Sequence, residues 1–147
     1  MKKAMRVWTA AVLVLSCLLC LGACGEDKKE QSNEKFGLWK NAKYVSDTEL
    51  GDGATTLTVQ VKAEDHQITF TIHTDKATVG EALQEHGLLE GEDSEYGLFI
   101  KKVNGILADY DVDQTYWGFF IDGEYAMTGV DSTNIEEGVT YCLARTK

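Results

Sequence analysis

The stretch 55-TTLTVQVKAEDHQITFTIHTDKATVGEALQEHGLL-89 decides the fold. Thr55 to Lys62 alternates, with Leu57, Val59 and Val61 on one face. Gln67 to Thr74 alternates again, with Ile68, Phe70 and Ile72 on one face, and the polar link Ala63-Glu64-Asp65-His66 joins the two runs. Two period-2 runs across a short polar turn predict a β-hairpin with one buried face. At Thr78 the period changes. Thr78-Val79-Gly80-Glu81 fits a capping box, in which the Thr hydroxyl and the Glu carboxylate satisfy free amides at a helix start. Val79, Ala82, Leu83 and His86 then share one helical face. Gly87 supplies a left-handed stop and Leu88 the apolar contact that follows it, which predicts a helix of about ten residues.

Toward the C-terminus the pattern returns to strands. Gly97 to Val103 is one, and Asn104-Gly105 is a two-residue hairpin signal because both positions accept positive φ. Tyr116 to Ile121 is the next, Asp122-Gly123 repeats the signal, and Glu124 to Thr128 follows. Glu137-Gly138 opens the last strand, Val139 to Arg145, with Val139, Tyr141 and Leu143 on one face and Cys142 and Ala144 on the other. Apolar residues on both faces suggest a central place in the sheet. A sheet must bury its apolar face against something, and one helix is available. The expected fold is therefore α+β: a β-grasp-like mixed sheet packed on one helix, with the last strand parallel beside the first of the hairpin.

Toward the N-terminus, Phe36, Leu38, Trp39 and Tyr44 predict a strand or arm that packs onto the domain, with Asp52-Gly53 turning the chain after it. Gly25 to Lys35 has no apolar residue and mixed charges, so it reads as a flexible tether. Such a tether spans typically ~20 Å and at most ~40 Å. Before it, Lys2, Lys3 and Arg6 precede an apolar stretch from Val7 to Leu21, shorter than the ~20 residues a bilayer-spanning helix needs. A basic start, a short apolar middle and small residues before a cut read as an export signal; the competing reading is an uncleaved membrane helix. Leu21-Gly22-Ala23-Cys24 is the layout of a bacterial lipoprotein signal, with cleavage before Cys24 and lipid on its thiol. Cys17 and Cys20 sit in poorer local patterns and leave with the signal. The expected organisation is a signal peptide over 1–23, a lipidated tether over 24–35 and one domain over 36–147. Two or more acyl chains, at ~0.8 kcal/mol per buried methylene, are enough to hold a protein at a membrane.

Removing the first 23 of 147 residues leaves 124, enough for one core. The cut takes three positive charges and no negative one, so the net charge moves from -10 to -13. Such a surface repels phosphate backbones, which excludes nucleic acid as a natural partner. It also leaves the lipid, not the protein surface, to hold the membrane. Of four cysteines only Cys24 and Cys142 survive the cut, so no internal disulfide is expected. Proline is absent.

A set of short segments carries a resemblance. They are Thr78-Val79-Gly80-Glu81-Ala82-Leu83, Tyr96-Gly97-Leu98-Phe99-Ile100, Val103-Asn104-Gly105, and above all Tyr116-Trp117-Gly118-Phe119-Phe120-Ile121-Asp122-Gly123-Glu124-Tyr125-Ala126, followed by Gly129-Val130-Asp131 and Glu137-Gly138. Thr78 to Arg145 resembles bacterial domains of unknown function similar to the C-terminal β-domain of transcobalamin and intrinsic factor. The resemblance implies that fold and, as ligand, a cobalamin-like molecule. In transcobalamin-like proteins this domain closes over a cobalamin held mainly by a helical barrel, and this chain has no such barrel.

Tyr116, Trp117, Phe119, Phe120 and Tyr125 crowd two neighbouring strands. Alternation puts Trp117, Phe119 and Ile121 on one face and Tyr116 and Phe120 on the other. One set belongs to the core; the other is a candidate aromatic platform for a flat ligand or a sugar. The ligand-binding candidates are Tyr116, Trp117, Phe119 and Tyr125. Asp109, Asp111 and Asp113 alternate like the start of a calcium loop, but Gln114 and Phe120 stand where that loop wants Gly and Glu, so a solvated acidic loop is favoured and no metal site is assigned. Cys142 reads as a small buried side chain rather than a nucleophile. His66, His73 and His86 show no ligand spacing, and His86 reads as a packed histidine at the core edge. No nucleophile–base, zinc or phosphate-loop signature appears, so no catalysis and no cofactor are expected. The leading expectation is a lipid-anchored, extracytoplasmic, non-catalytic ligand-binding module that holds a small molecule or serves a membrane transporter. The competing one is a module that docks a surface protein or glycan through a sheet edge or the aromatic face.

Overall fold

The computed structural model describes residues 37–147. The expected signal segment 1–23, Cys24, the tether 24–35 and Phe36 lie outside the described residues. Leu38–Lys147 clusters as one unit. In chain order its elements are strands β1 (Thr48–Gly51), β2 (Thr55–Ala63) and β3 (His66–Thr74), helix α1 (Val79–Glu85), strands β4 (Leu89–Ser94), β5 (Gly97–Val103) and β6 (Ile106–Leu107), and helix α2 (Tyr110–Asp113). Strands β7 (Tyr116–Ile121), β8 (Glu124–Tyr125) and β9 (Thr140–Thr146) complete it, with 3-10 turns at Gly37–Asn41 and Val130–Ser132. The protein is an α+β, sheet-dominated chain. Among the described residues no helix is long and apolar enough to cross a membrane.

The hairpin forms where alternation places it. Leu57 pairs with Ile72, Val59 with Phe70 and Val61 with Ile68, and all six side chains are fully buried. A one-residue slip would turn every one of them to solvent, so burial itself fixes the register. β9 runs parallel to β2 and antiparallel to β7, and the six-stranded sheet has the order β1-β3-β2-β9-β7-β8. The last strand is therefore central, as its two-sided apolar character indicated.

The helix start is the expected capping box. The Thr78 hydroxyl accepts the Glu81 amide at 3.2 Å, and the Glu81 carboxylate accepts the Thr78 amide at 3.3 Å. α1 itself has seven residues; with Thr78 before it and His86 and Gly87 after it the capped unit spans the expected ten, and the stop falls at Gly87 as the sequence places it. The Leu88 amide donates to the Leu83 carbonyl at 2.9 Å and the Gly87 amide to the Gln84 carbonyl at 3.0 Å, with Gly87 at φ 65. These two bonds satisfy the orphan carbonyls of the last turn. Val79, Ala82 and Leu83 are wholly buried. Gly80 is what lets the 130–132 turn approach the helix: a Cβ there would lie 3.1 Å from Asp131 Cα.

Three features depart from expectation. The strands do not form one sheet: β4, β5 and β6 pair among themselves as a separate three-stranded sheet. β4 has one buried residue, Leu89, and an acidic remainder, so pairing with β5 rather than its own pattern makes it a strand. The segment after Gly37 is a 3-10 turn, not a strand. Trp39 is buried there, donates its indole N–H to the Ala63 carbonyl at 3.0 Å and meets His66 edge-on. The strand of this region comes later, as β1 parallel to β3. β8 covers two residues instead of five.

Asn104 does more than turn the chain. It sits at φ 53 in the β5–β6 turn, fully buried. Its side-chain oxygen accepts the Tyr44 amide at 2.9 Å, and its side-chain nitrogen donates to the Tyr44 carbonyl at 2.8 Å. The hairpin turn thereby holds the N-terminal arm.

Candidate functional site

β7 carries the aromatic run, and its two faces meet different fates. Trp117 and Phe119 are 6% and 7% exposed. The indole N–H of Trp117 donates to the Ile106 carbonyl at 3.2 Å, and Phe119 stacks on Tyr141 at 6.0 Å between centroids. On the other face Tyr116 and Phe120 are half-buried. Phe120 meets Tyr125 edge-on at 5.3 Å, and Tyr125 is 59% exposed. Of the face that alternation gave to Trp117, Phe119 and Ile121, the first two are buried and Ile121 is half-buried like Tyr116 and Phe120.

All four sequence-predicted binding residues line one recess. Tyr116, Trp117, Phe119 and Tyr125 enclose about 190 Å³ together with Leu98, Phe99 and Ile100 of β5 and the chain from Ala126 to Val130. The recess lies where the two sheets approach each other without pairing, since no ladder joins β5 to β7. Asp131 ties β5 to the 130–132 turn at the edge of the recess, because its carboxylate accepts the Leu98 amide at 3.3 Å. Glycines at 97 and 129 leave room for that carboxylate, whose oxygens lie 3.0 Å and 2.8 Å from where a Cβ would stand.

A second recess of about 420 Å³ shares two walls with the first, Phe99 and Tyr116. Lys101, Ala108, Asp109, Tyr110 and Asp111 complete it. Phe99 and Tyr110 are large and open, 49% and 60% exposed. The Lys101 ammonium lies 5.3 Å from the centroid of the Phe99 ring, within cation–π range. Sequence reasoning did not single out Phe99 or Tyr110 as site residues. The available signal was an apolar run, Leu98-Phe99-Ile100, too continuous for a strand with a single buried face.

The acidic loop is turned largely to its own backbone. Asp109 caps α2 by accepting the Asp111 amide at 3.0 Å. Asp113 accepts the Thr115 hydroxyl and amide, and pairs with Arg145 at 2.6 Å. The Thr115 hydroxyl bond, with help from the Thr115 amide and Arg145, holds the Asp113 carboxyl below the usual carboxylate range. Arg145 also donates to the Leu107 carbonyl at 3.0 Å, so it fastens this loop to the strands beside it. Among the described residues no three His, Cys, Asp or Glu side chains gather as a metal site.

The remaining candidates are dispersed. Cys142 is a free thiol, half-buried rather than enclosed, and burial pushes its pKa up. His73 bonds to Glu49 at 2.7 Å and to the Thr56 hydroxyl at 3.3 Å. His66 Nε2 lies 3.1 Å from the Val45 carbonyl. His86 is mostly enclosed; its Nε2 has no hydrogen-bond partner among the described residues and lies 3.9 Å from Glu85.

Residues 76–140 match the family model described as a domain of unknown function, DUF4430. Comparison with the curated proteins finds no match. Among solved structures the chain is similar to a protein of Ruminococcus gnavus described as a candidate metal binder. Identity is 33% and the TM-score 0.60, over 64% of this chain and 98% of that one. It is also similar to haptocorrin, solved in complex with Cbi, at 17% identity and a TM-score of 0.50, over 66% of this chain and 26% of haptocorrin. The second likeness is one of fold, and the chain spans about a quarter of haptocorrin. The expected transcobalamin-like architecture is present at that level.

Proposed function

Because the chain belongs to the family described as a domain of unknown function, DUF4430, we propose a function read from its own site: a non-catalytic ligand-binding module, held outside the cytoplasm of a bacterium by lipid on Cys24. One observation carries the binding reading. Tyr116, Trp117, Phe119 and Tyr125, from two strands, converge on a single recess with Leu98 and Phe99 opposite. An apolar, aromatic-walled concavity held between two sheets suits capture of a small organic molecule. The carboxylate that adjoins its wall, Asp131 next to Val130, is engaged in structure by the Leu98 amide. That supports a binding role rather than a proton-transfer one. Two of the similar structures are described by what they bind, one as a candidate metal binder and one in complex with Cbi. The parallel pairing of β2 with β9 and the buried face of α1 support the finer reading of the fold as β-grasp-like.

A cobalamin-like ligand is the molecule the fold suggests. A recess of about 190 Å³ admits only an edge of so large a molecule, so most of it would lie across Tyr125 and the open rings. Affinity should therefore be modest. Titrating the full chain in detergent with cobalamin while following tryptophan emission tests this. A saturable change that is lost on Tyr125→Ala is expected; a flat trace to millimolar ligand removes the corrinoid.

A further inference from the structure

Resting on that ligand-binding reading, we propose that the larger recess, walled by Phe99, Tyr110 and Tyr116 and rimmed by Asp109 and Asp111, takes a compact organic cation of the alkylammonium or quaternary ammonium class. Three aromatic rings line this one concavity. The face of such a ring is electron-rich and attracts a cation within about 6 Å of its centroid. The chain already displays that attraction, because the Lys101 ammonium lies 5.3 Å from the Phe99 centroid. Lys101 acts as an internal occupant of the cage, a point charge on a flexible stem that can swing out.

Charge selects the ligand class. The recess carries one ammonium, Lys101, against two carboxylates, Asp111 and the helix-capping Asp109, in a chain of net charge -10, so once Lys101 swings out the local and overall fields both draw cations in. The nearby guanidinium of Arg145 offers an anion little, since it is paired with Asp113 and bonded to the Leu107 carbonyl. A neutral apolar molecule would satisfy the rings but strip water from the rim carboxylates without replacing it. A cation satisfies rings and carboxylates together. The volume, about 420 Å³, lies in the small-molecule range. Phe99 and Tyr110, 49% and 60% exposed, leave their rings accessible.

The test is calorimetric titration of the full chain in detergent at low ionic strength. One ligand is choline and the other its neutral isostere, 3,3-dimethylbutan-1-ol. Choline should bind about tenfold more tightly than the isostere. Tyr110→Ala and Asp111→Asn should each weaken choline severalfold, and Lys101→Met should tighten it by removing the internal competitor. Equal binding of the isostere overturns the cation class while leaving a ligand-binding module. Tightening that fails to appear in Lys101→Met, or choline affinity indifferent to Tyr110→Ala, also overturns it. Failure of both probes to millimolar concentration beside a saturable cobalamin titration overturns this inference alone. Failure of all three ligands overturns it together with the binding reading beneath it.

Discussion

The indole N–H of Trp117 donates to the carbonyl of Ile106 across 3.2 Å, and this bond joins a strand of the six-stranded sheet to one of the three-stranded sheet. Trp117 is thus a wall of the smaller recess and a tie between the layers that form it. Trp117→Phe removes the donor and with it this bond between the sheets, at a cost of about 0.5–1.5 kcal/mol, while the Ile106 carbonyl keeps its β5–β6 ladder partner. Tyr125→Ala, at a 59% exposed position, should stay within about 0.5 kcal/mol of the parent. Denaturant midpoints of the two variants would separate structural wall from exposed contact.

Leu83 tests the helix. It is fully buried on α1. Leu83→Ala should cost about 2–5 kcal/mol through lost transfer energy and the cavity left behind. A thermal midpoint unchanged by this substitution would contradict the packing described.

Asn104→Ala should cost about 2–4 kcal/mol, because it strains a left-handed backbone position and deletes both bonds to Tyr44. Asn104→Gly should recover the strain and still lose the bonds. Both variants should release the arm around Tyr44 to limited proteolysis, read by mass spectrometry of the early fragments.

Acid should loosen the 109–115 loop. Asp113 has a folded pKa below its unfolded one, so the stability it contributes is present above the ordinary carboxylate range. That contribution is lost as pH falls through the depressed value. Asp113→Asn should flatten this part of the stability profile, measured by urea unfolding across acidic pH.

Cys24→Ser should move the protein from the membrane fraction to the soluble one and abolish incorporation of labelled palmitate. A protein that stays with the membrane and takes up no lipid would remove the anchor from the proposal.

The sequence made the hairpin legible because Leu57, Val59, Val61, Ile68, Phe70 and Ile72 each obey one period and one face. The capping box, the Gly87 stop and the Asn104-Gly105 turn were legible because each is a local requirement of backbone geometry. β4 and β1 were not. Glu90 to Ser94 are all exposed, and β1 has no fully buried residue, so partners distant in sequence define both strands. The four aromatic candidates were legible as a cluster on β7 and β8. Phe99 and Tyr110 joined the site only because a second sheet, invisible to alternation, brought β5 against β7.

The parallel seam between β2 and β9 also bears on how the chain reaches its native state. Thr58 must find Thr140, and Val61 must find Leu143. Such remote closure carries a large loop entropy that has to be met before the contact returns anything, so folding should be slow for a domain of this size. Until β9 arrives, β2 and β7 each lack the neighbour that separates them. The nascent polypeptide therefore stays incomplete and threadable until β9 emerges, a delay that would serve the export proposed above.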